Sequence, residues 1–218
     1  MLMAVAPLVF IVDDNLSVRK SLSRLLALAG YTVEAFESAR EFLAREPSEG
    51  PCCLVLDVRM PGLTGIEMQE ALAAAGRRMS IVFVTGHVDV PTSVKAMKGG
   101  AVDLLTKPID REELLAAIAR AVAKDTADLS EEIRVAEIRQ RVKMLTARET
   151  QVFALVVTGM LNKQIAYELG VGLKTIKVHR ARVMEKMRAA SVAELVRLAD
   201  AVGVIGPSAS QRLSHASR

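Results

Sequence analysis

The feature that most constrains this chain is a set of short, mostly apolar runs, each ending in a group able to do chemistry. Residues 8–12 run into Asp13-Asp14, 52–56 into Asp57, 80–84 into Thr85, and 102–105 into Thr106-Lys107-Pro108. Residues 32–36 form a further β-branched and aromatic run. Between them lie stretches of helical spacing: 16–29 stopping at Gly30, 38–45, 64–75 before Gly76, 92–98 closed by Gly99-Gly100, and 110–122 after Pro108. Apolar runs of four to six residues that alternate with helices belong to strands buried on both faces. The predicted architecture is α/β, a doubly wound, parallel, five-stranded sheet.

In such a sheet, ligands bind where strands end at their carboxyl edge. Asp13, Asp14, Asp57, Thr85 and Lys107 are therefore expected at one edge. Three carboxylates close together repel one another, which raises at least one pKa unless a cation lies among them. All-oxygen ligands favour Mg2+. The set suits phosphoryl transfer to a carboxylate, with Asp57 as nucleophile, Lys107 as a fixed positive charge and Thr85 as hydrogen-bond donor to the product. Any one acid alone is equally well explained as a strand end or helix cap; the whole set at separate strand ends is not.

The rest of the chain differs in character. Residues 125–143 are polar, with apolar Leu129, Ile133, Ala136 and Ile138, and read as a linker helix that is either a solvated spacer or a dimer seam. From residue 144 to 203 only helical periodicity remains. Thr146 and Glu149 form a capping box, and helices are expected to about 157, over 162–169, 173–187 and 191–202, punctuated by Gly159, Gly170 and Gly172. The order helix, Gly turn, short helix, Gly turn, basic helix is helix-turn-helix spacing in a small all-α domain. Residues 204–218 are Ser-rich and expected to be a disordered tail.

Charge follows this division. Residues 1–124 carry 14 Lys/Arg and 15 Asp/Glu, whereas 125–218 carry 15 and 10, so that only the second part is suited to a polyanion. Residues 173–188 hold six Lys/Arg and one Glu. On a helical wheel Ile176, Val183 and Met187 share one face. Lys174, Lys177, Val178, Ala181 and Arg182 lie across the other, available to a groove. Seven aromatic residues among 218, and no Trp, argue against a protein that stacks bases or sugars on aromatic platforms. Adjacent Cys52 and Cys53 supply neither a disulfide framework nor a zinc ligand set, which suits a reducing cytoplasm. The apolar opening has no Lys or Arg before Arg19 and runs into two acids. It does not fit an export signal, no membrane span is expected, and the expected location is cytoplasmic.

The segments IVDDN, LVLDVRMPGLTG, IVFVTGH and GAVDLLTKP resemble the receiver (CheY-like) domain of two-component response regulators over residues 8–123, within a domain spanning 1–124. The resemblance implies that Asp57 is the phosphoacceptor, that Asp13, Asp14, Asp57 and the carbonyl of Arg59 hold Mg2+, and that Thr85 and Lys107 are the switch hydroxyl and phosphoryl-binding lysine. It also implies a cis peptide before Pro108. Leu104 stands where the family has Tyr or Phe, which either weakens the switch or leaves it working with different packing. His87, just after Thr85, is expected on an exposed loop. The segment LTARETQVFALVVTGMLNKQIAYELGVGLKTIKVHRARVMEKM is similar to the LuxR/NarL-type DNA-binding domain, and the whole chain to a FixJ-type response regulator. By that resemblance Lys177 and Val178 face base edges, and Lys163, Thr175 and Arg182 contact phosphates. Ala181 replaces a longer polar residue, leaving the base preference open.

The resemblance implies a non-enzyme transcriptional regulator. Its implied partners are promoter DNA, a cognate sensor histidine kinase and, when activated or DNA-bound, a second copy of itself. The final helix, with Leu195, Leu198, Ala199 and Val202, supplies the dimer contact in the family or serves only the fold. Two alternatives stay open: a DNA-binding regulator whose receiver works without phosphorylation, and an aspartyl-phosphate phosphohydrolase of haloacid-dehalogenase type. The latter needs a second Asp two residues after the nucleophile, where this chain has Arg59.

Overall fold

The computed structural model describes residues 7–48, 50–87 and 89–204. The chain separates into two compact units that divide between Ser130 and Glu131, inside the segment expected to be a linker. The expected tail lies outside the described residues, Val204 excepted.

In the first unit, β1 (Leu8–Val12), β2 (Thr32–Phe36), β3 (Cys52–Asp57), β4 (Ser80–Thr85) and β5 (Asp103–Thr106) form one five-stranded sheet in the order β2-β1-β3-β4-β5. Every pairing is parallel. Alternate residues of these strands feed two cores, as the period of two dictates. Phe10, Leu54, Leu56, Ile81 and Phe83 pack with Phe42 of α2 (Ala39–Leu43), Met68 and Leu72 of α3 (Gly65–Ala74) and Ala96 of α4 (Val90–Lys98). Val9, Ile11, Cys53, Val55, Val82 and Val84 pack on the other face, with Leu22 and Leu26 of α1 (Leu16–Leu28) and Leu114, Ala117, Ile118 and Ala121 of α5 (Arg111–Lys143). Burying both faces explains why the central strands β1, β3 and β4 are almost continuously apolar, whereas the edge strands β2 and β5 carry Glu34 and Asp103 and are more exposed.

Local chemistry sets the helix starts. Asn15 accepts the N–H groups of Ser17 and Val18 at the head of α1. Thr64 and Glu67 close a capping box at α3. The α4 helix begins at Val90 under the Asp89 cap, two residues before the expected start, because Pro91 is tolerated in a first turn. Gly65 opens α3 against the main chain of β3: a Cβ there would overlap the carbonyl oxygen of Asp57, and its N–H donates to Val58 O at 3.0 Å.

Where the sequence predicts two separate segments, 110–122 and 125–143, the structure has a single 33-residue helix, α5. No Gly or Pro interrupts it, Thr126 Oγ1 bonds back to Val122 O, and Lys124 pairs with Asp128 one turn on. Ile138, expected on the linker's apolar stripe, is instead buried in the core of the second unit.

That unit contains the end of α5 and α6 (Ala147–Val156), α7 (Asn162–Glu168), α8 (Leu173–Met187) and α9 (Val192–Ala201). Phe153, Ile165, Ile176, Val183, Met187 and Leu195 are fully buried among them. Leu195 and Ala199 of α9 thus belong to this core, and Leu198 and Val202 pack against it half-buried. The Thr146–Glu149 capping box is present at α6. Glu149 is only 2% exposed, and its Oε2 accepts Lys186 Nζ at 2.6 Å and Thr146 N at 2.9 Å. The Lys186 hydrogen bond, with the Thr146 N–H second, pulls the Glu149 carboxyl down from 4.5 to about 2.

A depressed folded-state pKa makes this contribution full above pH 4.5 and loses it as pH falls toward 2. Glu149→Gln is therefore expected to destabilise the helical unit at pH 7 by about 1–3 kcal/mol. In thermal melts the gap between wild type and variant should close between pH 4.5 and 2. A gap independent of pH would show that the charge on Glu149 plays no part.

Candidate functional site

The carboxyl edge of the sheet gathers the predicted acids. Asp57 is the last residue of β3 and 8% exposed; Asp13 follows β1 and is 2% exposed. Asp14 is exposed at the rim. One carboxylate oxygen from each of the three lies within 4.8 Å of the other two. Lys107 follows β5, and its Nζ donates to Asp13 Oδ2 at 2.7 Å and Asp57 Oδ2 at 2.8 Å. The remaining oxygens of the buried pair meet main-chain donors: Asp57 Oδ1 accepts Arg59 N at 3.2 Å, and Asp13 Oδ1 accepts Asn15 N at 2.8 Å. The peptide bond between Lys107 and Pro108 is cis, as expected.

The electrostatics follow. Burial pushes the Asp57 carboxyl up, Asp13 adds to this, and hydrogen bonds from Lys107 and Arg59 oppose it without cancelling it. Burial also works against the charge on Lys107, but its bonds to Asp13 and Asp57 outweigh that and hold it above the usual lysine value. Three carboxylates against one ammonium leave excess negative charge in a largely desolvated pocket, which a further cation relieves.

The neighbouring positions are placed by strand register. Asp57 pairs with Val84, so Thr85 lies one step beyond it, and Thr85 pairs with Thr106 just before Lys107. Lys107 N donates to Thr85 O at 2.8 Å. Thr85 is 1% exposed, and its hydroxyl is engaged with the following loop: it donates to His87 O at 3.0 Å and accepts His87 N at 3.3 Å. His87 itself is exposed. The structure does not bring Leu104 to the carboxylates. It pairs with Phe83 and packs half-buried on the α2–α4 side of the sheet.

On the second unit the wheel separates α8 cleanly. Ile176, Val183 and Met187 are buried completely. Lys174, Thr175, Lys177, Val178, Ala181 and Arg182 are exposed, as is Lys163 on α7. Val178 is an apolar side chain 44% exposed on a basic helix.

Sequence reasoning missed how the six cations of residues 173–188 divide. Arg180 donates to Asn162 Oδ1 at 2.7 Å and ties α8 to the start of α7. Lys186 is committed to Glu149. Both are structural, and their partners lie 18 and 37 residues away, beyond any local pattern. Gly65 was missed as well; its signal was a glycine at a helix start, where a capped helix gains nothing from one.

Comparison with known proteins agrees with this geometry. Residues 9–119 match the response regulator receiver domain, and residues 143–199 match bacterial regulatory proteins of the luxR family. The chain is 45% identical to nodulation protein W of Bradyrhizobium diazoefficiens, over 90% of this chain and 87% of that protein. It is 43% identical to the transcriptional regulatory protein FixJ of Rhizobium meliloti, over 92% and 98%. A solved structure of the response regulator StyR aligns with a TM-score of 0.79 at 44% identity, over 90% of this chain and 99% of that one. The acid-lined sheet edge, the basic helix-turn-helix and these relatives lead to one conclusion: the chain belongs to the response regulators of two-component systems, with a receiver domain and a LuxR-type DNA-binding domain.

Proposed function

We propose that this regulator is switched by phosphorylation of Asp57 from a cognate sensor histidine kinase, in the cytoplasm, and that the switch controls promoter binding by α8. The observation that carries the reading is the single ammonium of Lys107 bridging Asp13 and Asp57 while Asp14 stands within reach. The donor set fits Mg2+: clustered carboxylate oxygens, excess negative charge and an open, exposed rim at Asp14. Asp13, Asp14 and Asp57, with the main-chain carbonyl of Arg59, would hold the ion, which when bound screens the charge of incoming phosphoryl oxygens.

The chain's own residues carry the rest. A carboxylate oxygen of Asp57 forms the new O–P bond as the N–P bond of a phosphohistidine breaks, the electron pair returning to the imidazole. Lys107 then bonds a phosphoryl oxygen as well as carboxylate. Phosphoaspartate brings new charge and new acceptor oxygens to the pocket. Thr85 exchanges its bond to His87 O for one to the phosphoryl group, shifting the population of the β4–α4 loop. With Leu104 in place of an aromatic ring, transmission relies on aliphatic repacking beside Phe83. The outcome is release or pairing of DNA-binding domains, which dock as a homodimer. Lys163, Lys174, Thr175 and Arg182 hold phosphates, and Lys177, Val178 and Ala181 face base edges.

Asp57→Asn is expected to abolish labelling by phosphorylated kinase and by acetyl phosphate in a phosphate-affinity gel. Undiminished labelling would refute the assignment. Lys177→Ala should weaken promoter binding by about 1–3 kcal/mol in a mobility-shift titration while labelling of Asp57 continues. Loss of the folded circular-dichroism signal instead would make Lys177 structural.

A further inference from the structure

Helix α7 begins without a cap of its own. Leu161 at its N-cap has no side-chain acceptor to offer, and of its seven residues only Ile165 and Ala166 are buried. So short a helix does not hold its place unaided. Gln164 Oε1 accepts the Leu161 N–H at 2.7 Å, but that bond stays within the first turn and ties it to nothing else. The tie comes from α8, where Arg180 Nη1 donates to Asn162 Oδ1 at 2.7 Å. Arg180 sits at the edge of the buried seam of α8. Ile176 lies four residues before it and Val183 three after, both fully buried, and Arg180 itself is half-buried, as is Asn162. The place of the tie matters. Asn162 is followed at once by exposed Lys163, and Arg180 lies three residues beyond exposed Lys177, a neighbour on the helix surface. One hydrogen bond therefore joins the residue next to the proposed phosphate contact on α7 to the residue one turn from the proposed base contact on α8.

We infer, resting on the DNA-binding face proposed above, that Arg180 is a positioning residue for promoter selection: through Asn162 it sets the spacing of Lys163 from Lys177, and it neutralises no phosphate itself. Phosphate contacts fix the register of a protein on the duplex, and base contacts read the sequence within that register. When the spacing between the two kinds of contact is loose, a lysine still finds a phosphate on any duplex, but the base-facing side chains no longer arrive in register. The loss then falls on the preferred sequence alone. A cation that contacts phosphate behaves differently. It weakens binding to all sequences alike, and its removal lowers the dependence of affinity on salt, because fewer counterions are released.

The test uses the full-length chain with Mg2+ and beryllofluoride, titrated by fluorescence anisotropy over a salt series. Two probes are compared: the duplex that wild type enriches from a randomised pool, and a mixed-sequence duplex of the same length. Arg180→Met is expected to weaken binding to the enriched duplex by about tenfold, with the mixed-sequence duplex bound as before and the salt slope unchanged. Asn162→Ala, which leaves every charge in place, should lose the same preference, and the two changes together should cost little more than either alone. Lys163→Ala, by contrast, should weaken both duplexes and lower the slope by about 1. The same pattern from Arg180→Met would make Arg180 a phosphate contact and overturn its positioning role. Retention of the full preference by either variant, or loss of the folded circular-dichroism signal by both, would overturn it as well. If Lys163→Ala and Lys177→Ala both bind the two duplexes as wild type does, the DNA-binding face itself fails and the role of Arg180 with it.

Discussion

One ammonium held by two buried carboxylates is the interaction on which the receiver depends. Lys107 Nζ lies within 2.8 Å of both Asp13 and Asp57, and those residues leave two different strands of the same sheet. Burying Asp13 and Asp57 together is unfavourable without a cation between them. The lysine therefore stabilises the buried pair, yet the pocket is still short of positive charge because Asp14 completes the cluster. The same imbalance that would suit a divalent ion raises the Asp57 carboxyl above its ordinary value, burial being the largest cause.

The sheet makes this imbalance possible. Five parallel strands end at the same edge, so residues distant in the chain arrive together without any loop having to reach. Backbone fit then tunes the site. Gly65 lets α3 begin against the carbonyl of Asp57, and the N–H of Arg59 fixes one oxygen of the proposed phosphoacceptor. Thr85 is bound to the following loop through both its donor and its acceptor, to His87 O and His87 N.

The helical unit applies a different rule. Its basic helix is amphipathic in the ordinary sense, with an apolar seam of Ile176, Val183 and Met187 buried and a basic face exposed. Not every cation on that helix is free for a polyanion. Arg180 and Lys186 are occupied by Asn162 and Glu149. The electrostatic footprint offered to DNA is thus smaller than the count of basic residues suggests.

Strand positions and the split wheel of α8 were legible because each depends on local periodicity, and the edge cluster because the strands of a parallel sheet end at one edge. Apolar runs that end in Asp13, Asp57 and Thr85 declare buried strands, and a period of 3.6 declares which side of α8 is core. The continuity of α5 was not legible as one element, since the change in composition near residue 124 resembles a boundary although nothing there breaks a helix. The roles of Ile138, Arg180, Lys186 and Gly65 were hidden for another reason. Each is defined by a partner outside its own element, and no local pattern encodes such contacts. By itself, then, the order of residues determined the elements and the chemistry available at their ends. Only the tertiary structure decided which charges neutralise one another and which remain for a ligand, because pairing depends on distance in space, and burial multiplies its strength.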